Sequence, residues 1–298
     1  MTDAVPDAAP PPRPSPQGGG SEKALLDIQN LRVSFPTPKG RVEVVKGISF
    51  TLGRERLGIV GESGSGKSMT GRSILKLIRP RGRVTADRMM FGDTDLLAQS
   101  ERQMRAIRGA RISMVMQDPK FSLNPVMTVG EQIAEALVTH QKLQRSEIEA
   151  RVRAMLEAVR INDPDRVAGL YPHEISGGMG QRVMIAMMLI PEPDLLIADE
   201  PTSALDVSVQ AQVLDIIDDL VTTKGMGLIL ISHDLNLVSR YCDRILVMNG
   251  GQVVEECKAS ELAQAKHPYT QGLLAAMPQM NETRAELPVL ERSQWAGT

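Results

Sequence analysis

The side chains best placed for chemistry stand in a glycine-rich run that directly follows a short apolar stretch, residues 58–60. The run matches the pattern G-x-x-x-x-G-K-[ST] and consists of Gly61, Glu62, Ser63, Gly64, Ser65, Gly66, Lys67 and Ser68. Its glycines allow backbone N–H groups to surround phosphate oxygens at the start of a helix. Lys67 can reach the β- and γ-phosphates, and the Ser68 hydroxyl can ligate Mg²⁺. The run therefore predicts a nucleotide-binding P-loop.

A second apolar stretch, residues 195–198, ends in two acids, Asp199 and Glu200. An acid at the carboxyl end of a core strand lies where a metal-bound nucleotide needs one. Asp199 is expected to hold Mg²⁺ through water, and Glu200 is expected to polarise the attacking water. Two acids after a strand are often only part of a solvated loop. Downstream of a P-loop, however, they predict hydrolysis of a nucleotide.

Composition and charge narrow the class of protein. The 298 residues are 42% hydrophobic, which suits one large globular domain or two modest ones. With 34 basic and 36 acidic side chains, the near-neutral chain is not expected to bind nucleic acid by bulk charge. Cys242 and Cys257 lack metal or redox spacing and fit a reducing compartment. We expect no secretory or membrane-spanning segment, since no apolar stretch approaches about 18 residues.

The elements that must position the chemical groups follow from the hydrophobic pattern. Broken period-two alternation predicts strands over residues 26–35 and 42–52, and a helix is expected over residues 67–78. The middle of the chain has helical spacing, and Ser146 with Glu149 predicts a capping box. His140 is expected to lie on a helix surface. Further strands are predicted at residues 195–198, 228–232 and 245–248, with an amphipathic helix over residues 209–220.

Other segments resemble the motif set of ATP-binding-cassette (ABC) ATPases, in the order typical of that family. They are Gln117 (Q-loop), residues 175–182 with the sequence ISGGMGQR (signature motif), residues 203–206 (D-loop) and residues 232–234 (H-loop). The resemblance covers residues 24–278. It implies an α/β fold with a P-loop NTPase (RecA-like) core, an antiparallel β-subdomain and an inserted α-helical subdomain at about residues 118–186. Residues 1–22 and 279–298 are expected to be tails outside the ABC domain, residues 23–278.

The resemblance also implies roles for single residues. Phe35 would stack on adenine, Gln117 would contact Mg²⁺ and sense a membrane partner, and His233 would contact the γ-phosphate. Asp206 belongs to the D-loop. The nucleotide of an opposing subunit would be bound by Ser176, Gly177, Gly178 and Gln181. One chain would thus hold two half-sites, and neither would hydrolyse ATP well alone.

Three features resemble the oligopeptide, dipeptide and nickel importer branch of the family: Ser-Gly-Gly-Met in the signature motif, residues 204–212, and the segment HPYTQGLL at residues 267–274. Gly180 departs from the arginine of many relatives. The HPYT segment is expected to pack or cap a C-terminal element. No cysteine follows Pro278, so we expect no iron–sulfur cluster, and the cofactors implied are ATP and Mg²⁺.

The branch implies an importer subunit at the cytoplasmic face of the inner membrane. Its expected partners are two transmembrane permease subunits, a second ABC ATPase (a heterodimer rather than a homodimer) and, indirectly, an extracytoplasmic solute-binding protein. Peptides are the leading solute, with nickel or opine-like compounds as alternatives.

Two other classes of protein fit the sequence less well than an importer does. A soluble ABC ATPase acting on DNA or ribosomes usually carries tandem cassettes, a long coiled coil or zinc modules, which this sequence does not encode. A kinase or GTPase is disfavoured by the signature and H-loop segments and by the lack of a guanine-reading N-K-x-D segment.

Overall fold

The structure is a computed structural model that describes residues 24–116, 123–203 and 206–276, without the side chains at positions 207 and 208. Gln117, Ala204, Leu205 and the two predicted tails, residues 1–22 and 279–298, lie outside the described residues.

The described residues form strands and helices that alternate along the chain. In chain order the strands are β1 (Leu26–Thr37), β2 (Gly40–Leu52), β3 (Arg56–Val60), β4 (Arg83–Thr85), β5 (Arg88–Phe91), β6 (Thr94–Asp95), β7 (Ile112–Val115), β8 (Leu195–Asp199), β9 (Gly227–Ser232), β10 (Arg244–Asn249) and β11 (Gln252–Lys258). The α-helices are α1 (Lys67–Ile74), α2 (Glu101–Ile107), α3 (Val129–Val138), α4 (Arg145–Ala158), α5 (Pro164–Ala168), α6 (Gly177–Leu189), α7 (Val207–Lys224), α8 (Leu235–Tyr241) and α9 (Pro268–Ala275). Short 3₁₀ helices cover Pro172–Glu174 and Ala259–Gln264.

These elements form two compact units. The first, here called the P-loop unit, contains Ala24–Leu97, Ile197–Thr202 and the described chain from Gly225 onward. The second, the helical unit, contains Ala98–Leu196 and Ser203–Lys224. The strand β8 begins in the helical unit and ends in the P-loop unit.

The P-loop unit contains an antiparallel sheet with the order β2-β1-β5-β6, and β4 also pairs with β1. The β1 and β2 strands form its longest pair, from Leu26 opposite Leu52 to Thr37 opposite Gly40. Leu26 and Val33 are buried, as expected for a strand with one face on a core. The strands predicted over residues 26–35 and 42–52 are therefore confirmed.

The P-loop unit also contains a largely parallel sheet with the order β11-β10-β3-β9-β8. The central strands β10, β3 and β9 are parallel, with Leu57 opposite Ile229, and β11 pairs antiparallel with β10. Every residue of β9 is buried, which is typical of a parallel strand covered on both faces. Since ligands bind at the carboxyl ends of such strands, this sheet positions the loops that follow β3, β8 and β9. The predicted α/β fold class is confirmed.

The helix after the P-loop, α1, ends at Ile74, whereas the sequence predicted a helix to residue 78. Lys76 adopts a left-handed φ of 51°. The Leu77 N–H donates to the Arg72 carbonyl and the Lys76 N–H to the Ser73 carbonyl, over 2.8 and 3.0 Å. This pair of bonds is a Schellman motif, and it stops the helix one turn early.

In the helical unit, the predicted capping box at Ser146 and Glu149 is wrong. The helix α4 already begins at Arg145, so Ser146 lies inside its first turn. Glu149 instead pairs with Arg145, four residues earlier on the same helix face, at 2.8 Å. A capping box forms at α3, where the Thr128 hydroxyl accepts from the Glu131 N–H and the Glu131 carboxylate accepts from the Thr128 N–H.

The helical unit also contains a half-buried histidine and a largely buried ion pair. His140 is half-buried just beyond the end of α3 and lies against Gly109, so the prediction of an exposed helix position is wrong. Arg111 and Asp194 form a largely buried ion pair beside the start of β8. Within the described residues, no helix is long and apolar enough to cross a membrane.

Candidate nucleotide-binding site

The P-loop connects β3 to α1 through glycines whose backbone conformations residues with a side chain rarely adopt. Gly61, Gly64 and Gly66 have φ values of 149°, 84° and 101°. A Cβ on Gly61 would lie 2.1 Å from the Met248 carbonyl oxygen, and one on Gly66 would lie 2.6 Å from the Val44 carbonyl oxygen. Close backbone contact and positive φ both require glycine at these two positions. Ser63 and Gly64 are exposed, whereas Ser65 and Gly66 are buried.

Lys67 begins α1 and points back into the loop. Its side chain is buried, and Nζ donates to the carbonyl oxygens of Gly61 and Glu62 over 2.6 and 2.8 Å. Burial lowers the pKa of Lys67, while the negative charges of Glu200, Asp199 and Glu62 oppose that change. The ammonium group is thus held by backbone carbonyls among three acids, close to the loop that it is expected to serve.

Asp199 ends β8 and contacts two residues of α1. The Ser68 hydroxyl donates to the Asp199 carboxylate over 2.6 Å, and the Arg72 guanidinium lies 3.5 Å from the same carboxylate. Burial raises the pKa of Asp199, and Ser68 and Arg72 counteract that rise. Arg72 is not among the residues predicted from the sequence, although its position four residues after Ser68 places it on the same helix face.

Glu200 and His233 approach each other at the ends of β8 and β9. His233 Nδ1 lies 3.5 Å from Glu200 Oε1, with 64% of the histidine side chain and 19% of the glutamate side chain exposed. Glu200 has a left-handed φ of 48°, uncommon for a residue other than glycine, asparagine or aspartate. Its N–H donates to the Ile231 carbonyl over 2.9 Å, which holds this backbone conformation in place. Strain of this kind is concentrated at functional sites.

The donor groups fit a magnesium–nucleotide complex. Ser65 Oγ is buried and has no hydrogen-bond partner among the described residues, so it can donate to a phosphate oxygen. Ser68 and Asp199 offer one hydroxyl and one carboxylate oxygen. Mg²⁺ usually takes few protein oxygens and completes its shell with phosphates and water. The site therefore suits Mg²⁺ that arrives with a nucleotide.

Phe35 lies near the end of β1, opposite Val42, and is partly exposed. Its ring edge lies beside Gly82: a Cβ on that glycine would come within 2.8 Å of Phe35 Cε1. The ring is thus fixed at one edge by the Gly82 turn and keeps some exposed surface. This arrangement is compatible with stacking on a flat base.

The signature residues lie in the helical unit at the start of α6. Ser176 is the N-cap of this helix, and its hydroxyl accepts from the Met179 N–H over 3.3 Å. Ser176 and Gly177 are exposed and Gly178 is half-buried, but Gln181 is only 1% exposed. The surface of the segment is therefore formed by the serine and the glycines rather than by Gln181. A helix N-terminus that presents a hydroxyl and backbone amides can bind a phosphate.

The two remaining predicted site residues are Asp206 and Gln117. Asp206 is exposed and stabilises the start of α7, where its carboxylate accepts from the Val209 N–H over 3.0 Å. Gln117 is outside the described residues, so its role stays a prediction. Gly180 is buried, and a Cβ there would make only an ordinary contact, 3.7 Å from Leu123 Cδ1.

The HPYT segment caps α9, as the sequence predicted. His267 is the N-cap, and its Nδ1 accepts from the Tyr269 N–H over 3.2 Å. The structure shows one contact that was not predicted: the Glu62 N–H of the P-loop donates to the Tyr269 hydroxyl over 3.1 Å. No sequence signal could reveal this contact, because the two residues are 207 positions apart.

The chain matches the family described as ABC transporter over residues 45–203. The dipeptide transport ATP-binding protein of Bacillus subtilis is 46% identical over 270 residues, covering 90% of this chain and 81% of the relative. The oligopeptide transport ATP-binding protein of Salmonella typhimurium is 45% identical over 265 residues, covering 88% of this chain and 79% of the relative.

Solved structures of ABC proteins are also similar to this chain. An ATP-binding cassette solved as a dimer in a post-hydrolysis state with ADP and Pi matches with a TM-score of 0.68 and 26% identity, over 78% of this chain and 98% of that one. A component of the cbiONQ ABC transporter complex of Clostridium perfringens matches with a TM-score of 0.70 and 27% identity, over 82% and 92% of the two chains. The chain belongs to the ABC transporter family of ATP-binding proteins and is an ATP hydrolase, in the branch that includes the dipeptide and oligopeptide transport subunits.

Proposed function

We propose that this protein hydrolyses ATP to power the import of peptides through a membrane permease. The hydrogen bond between Ser68 and Asp199 is the observation that most directly supports the ATPase site, since it joins the P-loop to the acidic end of β8. The peptide substrate is supported by the relatives, which include a putative peptide import ATP-binding protein of Brucella abortus, 45% identical over 271 residues. That similarity covers 90% of this chain and 82% of the relative.

In this proposal several residues of the P-loop unit have separate roles in binding the nucleotide. Lys67, the loop amides and the Ser65 hydroxyl bind the phosphates, and the ring of Phe35 stacks on adenine. Ser68 and Asp199, with Gln117, would hold Mg²⁺, which supplies charge neutralisation at the phosphates when bound. These groups preorganise positive charge and hydrogen-bond donors where negative charge accumulates during phosphoryl transfer.

The water-activating pair is Glu200 and His233. Glu200 accepts a proton from the attacking water as general base and orients that water in line with the scissile bond. His233, which contacts Glu200 through Nδ1, orients the carboxylate and donates to the γ-phosphate through its other nitrogen. The strained backbone at Glu200 keeps its carboxylate beside the histidine.

We further propose that two cassettes close on two nucleotides, with Ser176, Gly177 and Gly178 of one chain facing the nucleotide of the other. The exposed N-cap serine and glycines at the start of α6 support this assignment. The solved cassette dimer in a post-hydrolysis state supports the pairing. We favour a different cassette as the partner, as the branch resemblance implies. Two permease subunits at the cytoplasmic face of the membrane, supplied by a solute-binding protein, complete the proposed assembly.

The proposed assembly can be tested by affinity purification of tagged Glu200→Gln protein from native membranes in ATP, followed by mass spectrometry. Slow hydrolysis should hold the cassettes closed and keep the complex intact. Recovery of two permease subunits, a second cassette and a peptide-loaded binding protein would support the proposal. Recovery of ribosomal or DNA-associated proteins without a permease would contradict it.

A further inference from the structure

Tyr269 places a side-chain hydroxyl against the backbone of the P-loop. The residue is 2% exposed, and its hydroxyl accepts a 3.1 Å hydrogen bond from the Glu62 N–H. Both residues belong to the P-loop unit. A buried tyrosine whose hydroxyl binds backbone is fixed at both ends, by packing of the ring and by the hydrogen bond.

The peptide group that Tyr269 contacts is the same one that holds Lys67. The N–H of Glu62 and the C=O of Gly61 belong to one planar amide and point in opposite directions. The N–H donates to Tyr269, while the Gly61 carbonyl accepts from Lys67 Nζ over 2.6 Å. Rotation of this peptide would break both bonds together. Since bonds on the two sides of an amide polarise each other, each one also strengthens the other.

Tyr269 is itself held in place by the cap of α9. Besides the His267 side chain, the carboxylate of Glu255 on β11 fixes the segment by accepting from the Lys266 and His267 N–H groups, over 2.6 and 3.3 Å. The Gln271 side chain adds a bond to the Ala265 carbonyl over 3.0 Å. The start of α9 is thus a rigid support for the tyrosine and not a loose end of the chain.

We propose that Tyr269 is a positioning residue for ATP binding: its hydroxyl orients the Gly61–Glu62 peptide, and the carbonyl of that peptide orients Lys67 toward the phosphates. The HPYT segment thereby acts on the nucleotide site and does more than cap a helix. The inference rests on the proposed nucleotide site at residues 61–68.

The test is nucleotide affinity in Tyr269→Phe, which removes only the hydroxyl and keeps the ring in the core. We expect the Kd for ATP and ADP to rise about 5-fold, the size of one hydrogen bond of ordinary strength. The KM for ATP should rise by the same factor, with kcat changed less than about 2-fold. Tyr241→Phe is the matched control, because Tyr241 is a second buried tyrosine of this unit, on α8 beside Arg240. Its nucleotide affinity should equal that of the wild type.

A double variant tests whether Tyr269 affects ATP binding through Lys67. If Tyr269 acts by orienting Lys67, adding Tyr269→Phe to Lys67→Ala should weaken binding no further. Wild-type affinity in Tyr269→Phe, or a lower melting temperature as its only effect, would overturn the inference. A full additional 5-fold loss in the double variant would also overturn it. Wild-type affinity in Lys67→Ala would instead refute the nucleotide site itself, so the two failures are distinguishable.

Discussion

The hydroxyl of Ser68 donates a 2.6 Å hydrogen bond to the carboxylate of Asp199, across 131 positions of sequence. A buried carboxylate is costly unless it is paired, and Ser68 and Arg72 supply that pairing. The bond sets one hydroxyl and one carboxylate oxygen side by side at the carboxyl end of the parallel sheet. The next residue, Glu200, contacts His233 instead. The two adjacent acids thus have different neighbours, which supports the separate tasks proposed for them, one for the metal and one for water.

The proposed stacking of Phe35 on adenine predicts weaker binding of ligands that carry the base and unchanged binding of ligands that carry only phosphates. Phe35→Ala should weaken ATP binding about 10-fold, since loss of an aromatic ring under a base typically costs about 1–3 kcal/mol. Phe35→Trp should bind ATP nearly as well as the wild type. Equilibrium titration with ATP and with inorganic tripolyphosphate separates the two effects. An equal loss for both ligands, or no loss for ATP, would show that the ring does not stack on adenine.

The geometry of the P-loop predicts that alanine destabilises the protein to different extents at two nearby glycines. Both Gly64 and Gly66 have positive φ, but only Gly66 has backbone close by, the Val44 carbonyl at 2.6 Å from a Cβ. Gly66→Ala should therefore destabilise the protein by about 2 kcal/mol more than Gly64→Ala. The urea midpoints of the nucleotide-free variants measure this difference. Equal midpoints would mean that the close contact at Gly66 relaxes without cost.

The burial of His140 predicts that the folded protein loses stability in mild acid. Burial lowers its pKa from the ordinary value of 6.5, so the folded state favours the neutral ring. Its contribution is complete above pH 6.5 and is lost as the pH falls through the folded-state pKa. His140→Gln should therefore reduce the fall in melting temperature between pH 7.5 and pH 5. His173→Gln is the matched control, at an exposed ring stacked on Tyr171. If both variants keep the wild-type pH dependence, the assignment to His140 is wrong.

Much of the fold could be predicted from local sequence because its determinants are local. The alternation in residues 26–35 marks β1, and the apolar stretch before Gly61 marks β3. Although its close contacts with Met248 and Val44 are not local, the P-loop pattern is local in its backbone conformation, since its three glycines each have a positive φ. The same holds for the cap of α9, where His267 bonds to a residue two positions later.

The features that sequence could not predict depend on contacts between distant segments or on competition at helix ends. The pairing of Arg72 with Asp199 and the bond from Glu62 to Tyr269 exist only after the sheet has formed. At α1 the left-handed Lys76 ends the helix although apolar residues continue the helical pattern. The left-handed backbone at Glu200 breaks local preference, as functional sites often do.

The most direct test of the account separates nucleotide binding from hydrolysis in the purified chain. The concentration is set high enough for two copies to pair, so that both half-sites carry the same substitution. ATP affinity and steady-state ATPase activity would be measured together for wild type, Lys67→Ala, Glu200→Gln and a control at an exposed acid, Glu261→Gln. We expect Glu200→Gln to bind ATP like the wild type and to hydrolyse it at least about 100-fold more slowly, as for loss of a general base. Lys67→Ala should bind ATP measurably but more weakly than the wild type, and the Glu261→Gln control should match the wild type in both affinity and activity. Wild-type turnover in Glu200→Gln, or wild-type affinity in Lys67→Ala, would contradict the account.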